Sequence, residues 1–153
     1  MYRGGVSHSL GSAPVEQGSD RPAPRLTANE ARRSDGQAHR LSRRGPPALG
    51  PGFLESVYHN ALVLQLRKAG LSCEPEKEVV VRYHGEEVGR HRLDLVVKGG
   101  VIVELKAVSA PAAVHYEQVR SYLRATGFEV GLLVNFGRER WGVRRIELPT
   151  KLV

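Results

Sequence analysis

The chain has 153 residues, enough for one domain with a sizeable core but not comfortably for two. Its 23 Lys and Arg against 16 Asp and Glu give a formal net charge of +7, which favours approach to polyanions such as nucleic acid. A single cysteine, Cys73, excludes an intramolecular disulfide and a cluster of cysteine metal ligands, and no run approaches the roughly 18 apolar residues that a membrane span requires. With no apolar signal core near the N-terminus either, a soluble cytoplasmic protein is expected.

Residues 1–48 are dominated by Gly, Ser, Pro, Ala and Arg, with isolated apolar residues such as Val6, Leu10, Val15, Leu26 and Leu41. Such a segment buries too little surface to offset its chain entropy, so it reads as a disordered basic tail, at best a frayed helix around Thr27 to Arg33. The folded domain is expected over 49–150, and its first feature is Gly50-Pro51-Gly52. After it, Phe53, Leu54, Val57, Tyr58, Ala61, Leu62, Leu66 and Ala69 recur at helical spacing until Gly70 supplies a stop.

The β-branched run from Val79 to Tyr83 predicts a strand, closed by His84-Gly85. Two more strands follow, over about 88–97 and 101–108, joined by Lys98-Gly99-Gly100 as a short hairpin loop with Gly available for positive φ. Pro111 opens a second helix running to about Ala125, with Gly127 in the place of a C-cap glycine. The apolar run from Phe128 to Phe136 is a further strand, and a strand–helix–strand crossover normally returns parallel, so a mixed α/β sheet with helices on its faces is predicted. Trp141 to Leu148 adds a final edge strand.

The second hairpin carries the chemistry. If Val97 and Val101 close it, Asp94 lies directly across from Glu104, and strand alternation puts Lys106 on the Glu104 side with Ile102 and Val108. Two carboxylates about 5 Å apart repel by roughly 3 kcal/mol at an effective dielectric near 20. Lys106 offsets part of that. A hard divalent cation such as Mg²⁺ or Mn²⁺, held by both carboxylates and by the backbone carbonyl of Leu105, offsets it better and suits phosphodiester hydrolysis by metal-activated water. An ordinary surface ion pair on a hairpin would share the same spacing.

Three motifs bear on that choice. Asp94-Leu95-Val96-Val97 followed by Val103-Glu104-Leu105-Lys106 resembles the D…ExK signature of the PD-(D/E)XK nuclease superfamily. Gly52-x-x-Glu55-x-x-Tyr58 is similar to the motif of the bacterial GxxExxY proteins within it, and Gln118-x-x-x-Tyr122 resembles the Q-x-x-x-Y motif of its RecB-type exonuclease branch. The resemblance covers about 49–147. It implies a restriction-endonuclease-like core, a divalent-metal site at Asp94 and Glu104, a catalytic Lys106, and a further acid on the first helix, here Glu55. Gln118 and Tyr122, sharing a helix face with His115, would support the site or position DNA, whereas Tyr58 reads as core.

The family pattern also includes an amphipathic helix immediately before Leu49-Gly50-Pro51-Gly52. The Gly and paired prolines of Arg40 to Pro47 predict that this chain lacks it. An apolar face left open would favour a homodimer or partner subunit. The alternative to a nuclease is then a non-catalytic nucleic-acid binding or protein-interaction module retaining the fold.

Overall fold

The structure is a computed structural model and describes residues 27–44, 49–98, 100–137 and 141–149. The apolar runs become the middle of a five-stranded sheet: β1 (Cys73–Tyr83), β2 (Glu86–Val97), β3 (Val101–Lys106), β4 (Val130–Asn135) and β5 (Gly142–Glu147). Three helices accompany it, α1 (Ala28–Arg44), α2 (Glu55–Lys68) and α3 (Ala113–Thr126). Strand order in space follows the chain, β1-β2-β3-β4-β5. β3 and β4 run parallel, joined across α3, and the other neighbouring pairs are antiparallel. The mixed α/β sheet expected from the crossover is therefore present.

Each sheet face has its own core. On one, Leu95, Val97, Val103, Leu105, Leu132 and Val134 pack with Tyr58, Leu62 and Leu66 of α2 and Ala38 of α1. On the other, Val96, Ile102, Leu133 and Ile146 pack with Val119, Tyr122 and Leu123 of α3. β3 and β4 are covered on both sides, which is why Val101-Ile102-Val103 and Leu132-Leu133-Val134 are unbroken apolar runs rather than alternating ones. Full burial of each such side chain contributes about 1.5–3 kcal/mol. Gly131 marks the closest approach of α3, because a Cβ there would lie 2.4 Å from Val119 Cγ1.

Element ends follow local chemistry. The Tyr58 hydroxyl donates to the Gly50 carbonyl (2.8 Å) and accepts from the Phe53 N–H (3.1 Å), so one buried side chain stitches the turn that starts α2. Gly52 sits in that turn at φ +101°, a conformation a side chain would resist. Gly127 caps α3 at φ 70° with its N–H on the Leu123 carbonyl (2.9 Å). α3 starts at Ala113, two residues after the Pro111 expected to open it, with the His115 Nδ1 accepting from the Ala112 N–H (3.0 Å). In the β2–β3 turn the positive φ is found at Lys98 (47°). Gly99 lies outside the described residues.

The N-terminal segment departs from expectation. Residues 28–44 are not a tail but the 17-residue helix α1, which packs on the sheet face that α2 also covers. Gly45 and the prolines come after its last turn and so do not break it. The helix buries small residues at i, i+4, i+8, namely Ser34, Ala38 and Ser42, with Leu41 beside them, and Asp35 pairs with Arg145 of β5 (2.8 Å). A search for large apolar residues passes over such a stripe. The packing element predicted to be missing is present; residues 1–26 lie outside the described residues.

Candidate active site

The β2–β3 ladder follows the predicted register, Val97↔Val101, Val96↔Ile102 and Leu95↔Val103, and stops there. The next step would set Asp94 opposite Glu104. At that point β2 inverts: Leu93 belongs to the core under α3, whereas Leu95, two residues on, belongs to the core under α1 and α2. Residues two apart in a regular strand share a face, so the strand turns over at Asp94. Across from it on β1, Glu76 takes φ 54° and is skipped by the pairing between Pro75↔Leu95 and Lys77↔Leu93. Both strands thus carry an irregularity at one level.

The carboxylate of Asp94 takes over what the ladder gives up. Its Oδ2 accepts the Leu105 N–H at 2.8 Å, in place of a backbone carbonyl. Because the N–H and C=O of one strand residue point the same way, the Leu105 carbonyl faces the same side. The Asp94 carbonyl in turn accepts from His59 Nε2 of α2 at 2.9 Å.

Glu104 is 2% exposed, and its Oε1 accepts from Lys106 Nζ at 2.8 Å. Its Oε2 is buried without a hydrogen-bond partner. Burial first, and then the neighbouring Asp94 charge, push the Glu104 carboxyl up to about 7, with the Lys106 ammonium opposing them. Burial alone would lower Lys106, but its ion pair with Glu104 and the charges of Glu55 and Asp94 outweigh that and hold its proton more tightly than usual. Asp94, Glu104 and Lys106 are therefore brought together as one cluster.

Glu55, the first residue of α2, is exposed and acts on the cluster through its charge. Among the described residues no three or more His, Cys, Asp or Glu side chains form a ready-made group for a metal ion. On α3, Gln118 Nε2 donates to the Tyr122 hydroxyl (2.6 Å). Burial, followed by the charge on Glu104, holds the Tyr122 proton above the ordinary phenol range, which places this pair beside the carboxylates. Tyr58 is 1% exposed and stacks on Phe136 (ring centroids 4.7 Å), a core role as expected.

Three residues in this arrangement escape sequence reasoning. His59 lies 35 positions from the carbonyl it holds, and no spacing rule connects them. His91 of β2 meets the Tyr122 ring edge-on (4.8 Å) only because β2 inverts beyond it. Asn135 secures the backbone that leaves the site after Lys106: its Nδ2 donates to the Val108 carbonyl (2.8 Å) and its Oδ1 accepts the Val108 N–H (3.0 Å). A lone amide ending the run Leu132-Leu133-Val134 was the available signal. Val108 accordingly lies beyond β3, not within it as expected.

A mixed sheet between helices, with two acids and a lysine gathered at the end of its second hairpin, defines the restriction-endonuclease-like class of fold. A family model described as the PD-(D/E)XK nuclease superfamily matches residues 46–146, and the chain belongs to that superfamily. The crystal structure of SSO0001 superposes with a TM-score of 0.52 at 23% identity, covering 63% of this chain and 52% of that one, a likeness of fold. The chain thus spans about half the length of that protein. No curated protein matches it.

Proposed function

We propose that the domain is a divalent-metal-dependent DNA nuclease of the GxxExxY branch, hydrolysing phosphodiester bonds with a metal-activated water. One observation carries the reading most: a buried carboxylate, Glu104, has one oxygen on Lys106, the other without a partner, and a second acid beside it. An isolated surface ion pair would have no reason to bury an oxygen unpaired. A hard cation coordinated by oxygen satisfies that atom and offsets the burial and the Asp94 repulsion that together hold Glu104 near 7.

The residues present fit Mg²⁺ or Mn²⁺. Glu104 through Oε2, Asp94 through Oδ1 and the Leu105 carbonyl would hold it, and the exposed Glu55 is near enough in charge to add a water-mediated contact. When bound, the ion lowers the pKa of a water and offsets charge on the scissile phosphate. Lys106, already charged, orients the attacking water and stabilises the developing oxyanion. Gln118 holds the Tyr122 hydroxyl as acceptor, which leaves the phenol proton free to position substrate or water. A bacterial cytoplasmic protein acting on DNA accords with the net charge and the single cysteine.

The non-catalytic alternative rests on an absent helix, an open apolar face and the arginine-rich N-terminal segment. α1 packs on that face, so the absent helix no longer supports that alternative. The test is incubation of the purified protein with plasmid and single-stranded DNA in Mg²⁺, Mn²⁺ or EDTA. Cleavage is expected with metal alone, falling about a hundredfold or more in Asp94→Ala. Wild-type protein that cuts nothing, or a variant that cuts equally well, sinks the reading.

A further inference from the structure

The Asp94 side chain takes the Leu105 N–H at the point where β2 turns over, and that irregularity has a cost. Glu76 and Asp94 drop out of the β1–β2 pairing, so the Asp94 carbonyl has no paired strand residue opposite it. An orphaned buried carbonyl costs about 1–3 kcal/mol. His59 of α2 meets the need from outside the sheet, with its Nε2 2.9 Å from the Asp94 carbonyl. A carbonyl only accepts, so Nε2 carries the proton. The same residue's carboxylate accepts the Leu105 N–H at 2.8 Å, which leaves Asp94 gripped at both ends, by a helix on one side and by β3 on the other.

We infer that His59 is a positioning residue for the candidate active site: through its hydrogen bond to the Asp94 carbonyl it fixes the β2 inversion that aims the Asp94 carboxylate at Leu105 and Glu104. His59 lies one turn along α2 from Glu55, whose charge reaches Lys106. Helix α2 therefore contributes to the cluster twice, with an acid at its start and a carbonyl clamp in its second turn. The functional half of the inference, pre-set metal ligands, rests on the nuclease reading; the structural half does not.

The experiment follows the Leu105 amide by NMR hydrogen exchange and, separately, Mn²⁺ binding by calorimetry. In His59→Leu the Leu105 amide should exchange about tenfold faster and Mn²⁺ affinity should fall about tenfold, while the Val103 amide keeps its protection. His59→Gln, whose amide can reach the Nε2 position, should restore both, whereas the shorter His59→Asn should restore neither. If His59→Leu does not fold, the Gln and Asn variants carry the comparison alone. An unchanged Leu105 amide in folded His59→Leu, or equal behaviour of Gln and Asn, overturns the proposal. Wild-type protein that binds no Mn²⁺ overturns the metal-centre reading instead, and the amide measurement still decides the role of His59.

Discussion

Glu104 is held between two demands, a core that resists its charge and a lysine that requires it. An acid whose folded pKa lies above its unfolded one favours folding at low pH: between about 4.5 and about 7 the folded chain keeps a proton that the unfolded chain has released. The metal-free protein should therefore lose stability as pH rises through that window, by up to about 3 kcal/mol at 1.36 kcal/mol per unit. Thermal melts in EDTA at pH 5 and pH 8 should show the loss, and Glu104→Gln, which cannot ionise, should remove most of it while abolishing Mn²⁺ binding. Lys106 acts in the opposite direction on the same carboxyl. Lys106→Met should raise Glu104 further and weaken Mn²⁺ binding at pH 7 about tenfold or more, with recovery at pH 9 by calorimetry. Recovery that fails to appear would mean that Lys106 does not govern the protonation of Glu104.

At the scale of elements, the start of α2 depends on one hydroxyl. Tyr58 keeps its stack on Phe136 and its edge contact with Trp141 whether or not it carries oxygen, but only the hydroxyl ties Gly50 to Phe53. Tyr58→Phe should cost about 1–2 kcal/mol by urea denaturation, because it leaves two turn groups unpaired at little change in volume. A cost below about 0.3 kcal/mol would show that water replaces the hydroxyl there. The periodicities that predicted α2, α3 and the four later strands were strong enough to read directly. β1 was found shorter than it is, since Cys73 to Glu78 mixes charges with a proline and lacks alternation. α1 was missed for a different reason. Its buried stripe consists of Ser34, Ala38 and Ser42, and residues of that size carry little hydropathy; their fit shows only against a partner surface.

For the whole molecule, α1 joins the N-terminal segment to the far edge of the sheet. Asp35 reaches Arg145 of β5, the strand paired on the other side of β4, and Ala38 and Leu41 lie on the core beneath α2. Truncation through Arg44 should uncover that core. The shortened protein should melt at a lower temperature and self-associate in sedimentation measurements, since exposed apolar faces of this kind drive association. A truncated protein that stays monomeric with an unchanged melting temperature would show that α1 contributes nothing to the domain. Among the described residues no helix is long and apolar enough to cross a membrane.

The order of most elements, the β2–β3 register and the identity of the Asp94, Glu104 and Lys106 cluster were present in the sequence itself, because alternation and helical period are local properties of the chain. The inversion of β2 at Asp94, the His59 clamp and the burial of Glu104 were decided by tertiary structure alone. Each depends on what another element brings to that point: a helix donor 35 residues away, the left-handed Glu76 on the opposing strand, and Tyr122 of α3 beside Glu104. Pattern in a chain tells which faces will be covered, but the pKa of a buried acid and the aim of a side chain depend on the groups that cover it.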